Sequence, residues 1–211
     1  TSPVVDVVRG GDVIASLDFT DKTALTVPLD AGDAPALRVR AAGFIGERPF
    51  YALEQIALGA QPPLVVAGAD NDAIGSIAHA QVLSLKASPP DDTRRTATVV
   101  VELAPGDDDF FALDANDGDS VHFSCAAESA GSGLRGLEVD LRDDTGALVL
   151  RTHEEKHDHD VIGGTRTWMD PADSFAPSVH AGTFYGEVHA TSYDDVVTSR
   201  YAICTAAAGL R

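Results

Sequence analysis

The chain has 211 residues, 44% of them hydrophobic and 23% charged, so it can bury a sizeable core and is too apolar to be a disordered tail. Its 33 acidic residues outnumber the 15 basic ones, which argues strongly against nucleic acid as a partner, because phosphate binding needs a basic face. The longest aliphatic runs are far shorter than the roughly 20 residues of a membrane-spanning helix, so we expect no membrane span.

Short segments of alternating or continuous apolar residues predict β-strands along the whole chain. In chain order these segments are Val4–Val8, Val13–Leu17, Leu25–Leu29, Ala36–Val39, Tyr51–Leu58, Thr98–Leu103, Phe110–Leu113, Ser120–Cys125, Leu137–Leu141, Ala147–Leu150, Phe184–His189 and Tyr201–Thr205. Gly-rich and Asp-rich turn sequences separate them. The only predicted helical turn is Ala73–Gln81. Many short strands with regular turns predict an all-β sandwich or barrel.

An internal repeat divides the chain into two units. The matching segments are Val5–Arg9 with Val139–Arg142, Val13–Ser16 with Ala147–Leu150, Leu37–Val39 with Gly186–Val188, and Tyr51–Leu53 with Tyr201–Ile203. Residues 69–136 have no counterpart before residue 4, so the first unit is expected to lack its early strands. The predicted domains are therefore an incomplete sandwich over residues 1–58 (the first unit), a linker over 59–68 that contains paired prolines, and a complete sandwich over 69–211 (the second unit).

A set of short motifs in the second unit carries a family resemblance. The motifs are Asp70–Asp72, Ile77–Gln81, Gly106–Leu113, Gly118–Val121, Leu137–Leu141, Ala181–Tyr185 and a final strand that begins at Tyr201. Their order resembles the bacterial pre-peptidase C-terminal (PPC) domain over residues 69–206, with the tail of a second copy in residues 4–58. The resemblance implies tandem antiparallel jelly-roll-like β-sandwiches, the first incomplete, in a secreted accessory module related to the collagen-binding modules of clostridial collagenases and without catalytic activity.

Calcium is the cofactor that this resemblance implies. Calcium takes about six to eight oxygen ligands, and loops rich in short carboxylates supply them. In the related collagen-binding modules, calcium lies between the linker ahead of the first strand and an Asp-bearing loop, and the matching positions here are Asp70, Asn71, Asp72, Asp107 and Asp109. Ala69 stands near the place of the family's usual Glu, which removes one ligand. The alternative is that these residues cap turns and hydrate the surface.

The chain has two cysteines, Cys125 and Cys204, each at the end of a predicted strand. A disulfide between them would close a loop of about 80 residues and stabilise the fold by about 4 kcal/mol. It would also indicate an oxidising compartment. The alternative is two separate buried thiols.

His153–His157 formally matches the HExxH signature of zinc proteases. That chemistry needs a helix, whereas these residues follow a predicted strand and are interpreted as a solvated loop. With His159 and its flanking Asp residues, the loop could capture a transition metal adventitiously. The aromatic residues do not support collagen binding, because Tyr51 and Tyr201 fall in equivalent predicted strands and are interpreted as core.

Two functional hypotheses follow. The first is a non-catalytic, exported β-sandwich protein with a structural, adhesive or self-assembly role at the cell surface or outside the cell. The second is a C-terminal accessory fragment of a larger secreted peptidase or other hydrolase. Since the first residues lack the pattern of a signal peptide, we expect any export signal to have been removed or to lie further upstream. The expected partner is a protein, either an upstream fragment or another copy in a head-to-tail assembly that would form a filament, whose strands complete the first unit. The alternative is that residues 4–58 fold back on the second unit and bury their apolar face there.

Overall fold

A computed structural model of the chain describes residues 3–18, 27, 29, 33–41, 64–67, 74–88, 91–104, 106–161, 164–198 and 200–209. Sixteen strands lie in these ranges. They are β1 (Pro3–Arg9), β2 (Asp12–Asp18), β3 (Ala36–Ala41), β4 (Leu64–Ala67), β5 (Gln81–Val82), β6 (Lys86–Ser88), β7 (Asp91–Glu102), β8 (Asp108–Ala115), β9 (Ser120–Ala126), β10 (Leu134–Arg142), β11 (Leu148–His153), β12 (Glu155–Val161), β13 (Gly164–Asp170), β14 (Ala172–Ala176), β15 (Gly182–Tyr193) and β16 (Tyr201–Gly209). Short 3-10 turns lie at Ile77–His79 and Glu128–Ala130.

Two antiparallel sheets form the second unit. One has the strand order β14-β9-β16-β7 and the other β11-β10-β15-β8. With β7 to β11 and β14 to β16 taken as strands one to eight, this order is that of a jelly roll. Strands β4 and β5 add to the sheets in parallel, on β7 and β8 respectively, and β6 pairs with β7. The predicted all-β sandwich is confirmed.

The core lies between these two sheets. Burial along β9 alternates strictly, which places every second side chain inside, as in a strand with one solvated face. Phe111 and Phe123 stack across the core with ring centroids 6.1 Å apart. A Cβ atom at Gly186 would lie 2.6 Å from the ring of Phe123, so the glycine allows β15 to approach the opposite sheet.

Cys125 and Cys204 form a disulfide inside this core. They lie directly opposite each other on β9 and β16, with an S–S distance of 2.09 Å, and both are fully buried. The bond therefore joins the third and eighth strands of the jelly roll.

The first unit contains a three-stranded antiparallel sheet of order β2-β1-β3. Gly10 and Gly11, with φ of 63° and 105°, form the two-residue turn between β1 and β2. The sheet also contacts the second unit through two backbone hydrogen bonds: the Ser16 N–H donates to the Gly131 carbonyl at 3.1 Å, and the Thr198 N–H donates to the Val13 carbonyl at 2.9 Å. These bonds favour a first unit that folds back on the second.

The two units share a strand order and a register. The sheet β2-β1-β3 of the first unit matches the strands β11-β10-β15 of the second unit. In both, the central strand lies between its hairpin partner and a strand from later in the chain. The buried Asp6 on β1 lies opposite Arg38 on β3, and the buried Asp140 on β10 lies opposite Glu187 on β15. The sequence repeat aligns Asp6 with Asp140 and Arg38 with Glu187.

The strands that the sequence did not predict are β4, β5, β6, β12, β13 and β14. Leu64–Ala67, inside the predicted linker of residues 59–68, is the strand β4, which pairs in parallel with β7. Residues 155–161, within the segment interpreted as a solvated loop, form the strand β12, which pairs with β13 in a two-stranded sheet. Its charged sequence has no apolar alternation, so periodicity could not find it. The predicted strand Tyr51–Leu58 and most of Leu25–Leu29 lie outside the described residues.

Candidate metal centre at the start of β8

Asp109 is placed in the core by the alternation of β8. A turn closed by a hydrogen bond from the Asp107 N–H to the Ala104 carbonyl, at 3.1 Å, leads into the strand. Asp109 then shares a face with Phe111 and Leu113, both fully buried, and is itself fully buried. A carboxylate therefore lies at the end of the hydrophobic core.

The ionised form of the buried Asp109 carboxylate is electrostatically unfavourable. Within the part of the chain that the structure describes, neither oxygen of Asp109 has a hydrogen-bond partner. Burial, followed by the neighbouring charges of Asp107 and Asp108, raises the pKa of Asp109 to about 7. A cation that coordinated these oxygens would supply the missing interaction and favour the ionised form.

The segment that leads to β5 contacts the strand β8. The Ile77–His79 turn contacts β8 and β5 runs parallel to it, with Gln81 opposite Phe111. The structure thus brings Asp107 and Asp109 together at one end of β8. Asp70, Asn71 and Asp72, the other predicted ligands, lie outside the described residues, shortly before Ile74.

A second group of potential metal ligands was missed by sequence reasoning. One ligand atom each from Asp108, Glu187 and His189 lies within 4.8 Å of the others. The only sequence signal was the spacing of Glu187 and His189, two residues apart in a strand and therefore on one face. Asp108 comes from a distant part of the chain, which no local pattern connects to them.

The HExxH match has no helix to support it. Its residues span the end of β11 and the start of β12, and its first Glu, Glu154, is buried. The Glu154 carboxylate accepts hydrogen bonds from the N–H groups of Ala127, Glu128 and Ser129 at 2.8 to 3.0 Å. Glu154 therefore holds the Glu128–Ala130 turn, and the residues of the HExxH match lie at the junction of two strands.

Two aromatic positions bear on the prediction of a tyrosine core. Tyr201 is buried, and its hydroxyl donates to the Ala130 carbonyl at 3.4 Å, as expected for a core residue. Burial raises the pKa of its phenol. Tyr51 lies outside the described residues.

No helix within the described ranges has the length and apolar character needed to cross a bilayer.

Comparisons with known proteins add little to the structure itself. No protein-family model matches the chain, and no curated protein matches it. Among solved structures, the pre-peptidase C-terminal domain of collagenase from Bacillus anthracis is similar to this chain at 14% sequence identity, with 61% of this chain and 93% of that domain covered and a TM-score of 0.33. A TM-score this low does not establish a shared fold. The description of this chain as an all-β sandwich therefore depends on its own strand order.

Proposed function

We propose that this chain is an exported, non-catalytic β-sandwich protein with a structural, adhesive or self-assembly role, and that calcium bound near Asp109 stabilises it. The observation that carries the proposal is the fully buried Asp109 carboxylate, which has no hydrogen-bond partner among the described residues. Buried carboxylates are normally paired or coordinate a metal, because an isolated buried charge is strongly unfavourable.

Calcium fits this position better than a softer ion. Asp107 and Asp109 contribute carboxylate oxygens, and Asp70, Asn71 and Asp72 add three oxygen-bearing side chains a few residues before the segment that contacts β8. An all-oxygen ligand set is the kind that calcium prefers. The proposed role of the ion is to fix the segment before Ile74 against the end of the sandwich.

Export is supported by the disulfide between Cys125 and Cys204. Disulfides form and persist in secreted proteins and are rare in the reducing cytosol. The large excess of acidic residues also keeps such a protein soluble.

The calcium proposal is tested by thermal unfolding of the full chain after chelation. An ion that binds only the folded state stabilises it by about 2.7 kcal/mol at a free concentration 100-fold above its Kd. For a chain of this size that raises the Tm by about 5–10 °C. Magnesium at the same concentration serves as the control. An unchanged Tm in millimolar calcium would remove the site.

The alternative function is an accessory fragment at the C-terminal end of a larger secreted hydrolase. It is supported by the order of sequence motifs that resembles the PPC domain, since such domains are appended to exported peptidases. Mass spectrometry of the protein isolated from its natural source tests it. A catalytic domain ahead of Thr1 would favour the fragment, and a mature product that begins near Thr1 and occurs without a catalytic chain would favour the structural role.

A further inference from the structure

The solvent-facing side of the sheet β11-β10-β15-β8 carries two rows of polar side chains. The register places Asp108 opposite His189, and His189 opposite Glu138. In the next row, Glu187 lies opposite Asp140. Because directly paired residues project from the same face of a sheet, these side chains from three strands converge on one patch.

The distances within this patch suit a metal site that closes by small side-chain rotations. Nδ1 of His189 lies 3.9 Å from Oδ1 of Asp108. One ligand atom from each of Asp108, Glu187 and His189 falls within 4.8 Å of the other two. Zinc ligands lie about 2.0–2.2 Å from the ion, so the three groups need to approach each other by about 1 Å.

We propose that Asp108, Glu187 and His189 bind a divalent transition-metal ion, and Zn²⁺ is the ion used to test the proposal. One imidazole nitrogen and two carboxylate oxygens form a ligand set that zinc accepts, and the remaining position is filled by water. Asp108 is exposed while Glu187 is half-buried, so the ion would enter from the solvent and rest against the sheet. This proposal does not depend on the proposed calcium site.

In this proposal Glu138 orients the imidazole of His189. Its Oε1 lies 3.5 Å from Nε2 of His189, on the side of the ring away from Asp108. A carboxylate that accepts the N–H of one ring nitrogen leaves the other nitrogen free to bind metal, and metal-binding histidines usually have such a partner. Arg151 in turn holds Glu138, with Nε 2.9 Å from Oε1. Glu138 is thus a positioning residue.

The charge of the patch favours a divalent cation. Its charged side chains are Asp108, Glu138, Asp140 and Glu187, opposed by Arg142 and Arg151. Four carboxylates and two guanidinium groups leave a charge of minus two when His189 is neutral, which one divalent ion balances. The competing arrangement is a protonated His189 that bridges Asp108 and Glu138 as an ion pair, and it requires no metal.

The patch is separate from the proposed calcium site although Asp108 and Asp109 are adjacent. Successive residues of a strand point to opposite faces, so Asp108 faces solvent where Asp109 faces the core. The two sites also differ in ligands, because only this one includes an imidazole. Zinc binding should therefore persist in protein saturated with calcium and in the Asp109→Asn variant.

Isothermal titration of the full chain with Zn²⁺, in the presence of millimolar calcium, tests the proposal. We expect one saturable site whose affinity falls by about tenfold or more in His189→Gln and by about 10–100-fold in Glu138→Gln. The matched control is His180→Gln, because His180 is fully exposed and has an Asp117 carboxylate 3.2 Å away. Its affinity should change less than about twofold, since adventitious surface histidines are not part of a built site.

A measurement on the unaltered protein keeps the test independent of variant folding. Long-range ¹H–¹⁵N NMR of the imidazoles should show Zn²⁺ shifting the Nδ1 signal of His189. The proposal is overturned if no saturable zinc site exists. It is also overturned if His189→Gln binds zinc as the wild type does, or if zinc shifts the ring signals of other histidines and leaves those of His189 in place.

Discussion

Replacing Asp109 by Asn should have opposite effects with and without calcium. Burial, with Asp107 and Asp108 adding to it, raises the pKa of Asp109 from 3.8 to about 7. Since each tenfold change in proton affinity corresponds to about 1.4 kcal/mol, keeping this carboxylate ionised at pH 8 costs the calcium-free folded state roughly 4 kcal/mol. A buried amide without partners costs about 1–3 kcal/mol, so Asp109→Asn should stabilise the chelated protein by roughly 2 kcal/mol.

The assay is thermal unfolding at pH 8 in chelator and in millimolar calcium. In chelator the Tm of Asp109→Asn should exceed that of the wild type by about 4–8 °C. In calcium the order should reverse, because the variant has lost a charged ligand. The control is Asp117→Asn, which removes an exposed carboxylate and should leave both values unchanged. If Asp109→Asn is the less stable protein in chelator, the carboxylate is not a cost to the fold; if calcium stabilises both proteins equally, Asp109 is not a ligand.

Three further predictions concern other parts of the chain. Denatured but unreduced protein should show no free thiol with a thiol reagent, because Cys125 and Cys204 are bonded; two thiols per chain would contradict the disulfide and weaken the argument for export. Glu154→Gln should lower the free energy of unfolding by about 2–3 kcal/mol in denaturant titrations, because an amide nitrogen would replace an oxygen that accepts from buried N–H groups. The control Glu155→Gln, at an exposed position, should change the free energy of unfolding by less than about 0.5 kcal/mol. Light scattering should distinguish the two arrangements of the first unit: a monodisperse monomer whose residues 1–58 resist protease would refute completion by another chain, and a polymer or co-purifying peptide would refute the fold-back.

The sequence predicted strands that contain an alternating or continuous run of apolar residues. The segments Ser120–Cys125 and Phe110–Leu113 lie within β9 and β8, because alternating or continuous burial leaves a visible apolar pattern. The sequence did not predict the strand β12, which pairs with β13 and has charged residues along its length. The sequence did not predict the strands β5 and β6, because two or three residues are too few to show a pattern of apolar residues.

The alignment of the two repeats is correct for the central strands β1 and β10. It is wrong by one residue for the strands that follow the next turn, β2 and β11. It matched Ser16 with Leu150, whereas the register places Ser16 opposite Asp6 and Arg151 opposite Asp140. The segment between Asp140 and Arg151 is one residue longer than the segment between Asp6 and Ser16, and a shift of one residue reverses the faces of a strand. Sequence matching alone could not detect that difference.

Candidate ligands could be predicted only where they cluster along the chain. Asp107 and Asp109 were named as calcium ligands from the family resemblance, and their binding of calcium stays a prediction. The sequence did not indicate that Asp109 is buried and that its neighbour Asp108 is exposed. Asp108, Glu187 and His189 come together only through the β8–β15 register, which depends on the fold.

The disulfide between β9 and β16 has a consequence for proteolytic processing. The two cysteines are 79 positions apart in the sequence, and the loop between them contains β10 to β15, including the hairpin β12–β13, which forms a two-stranded sheet. A protease that cut this hairpin would therefore produce two fragments held together by a covalent bond. Such a nicked protein would keep its mass apart from one added water, would separate into two bands only after reduction, and would retain its last strand in the sheet after the chain had been broken.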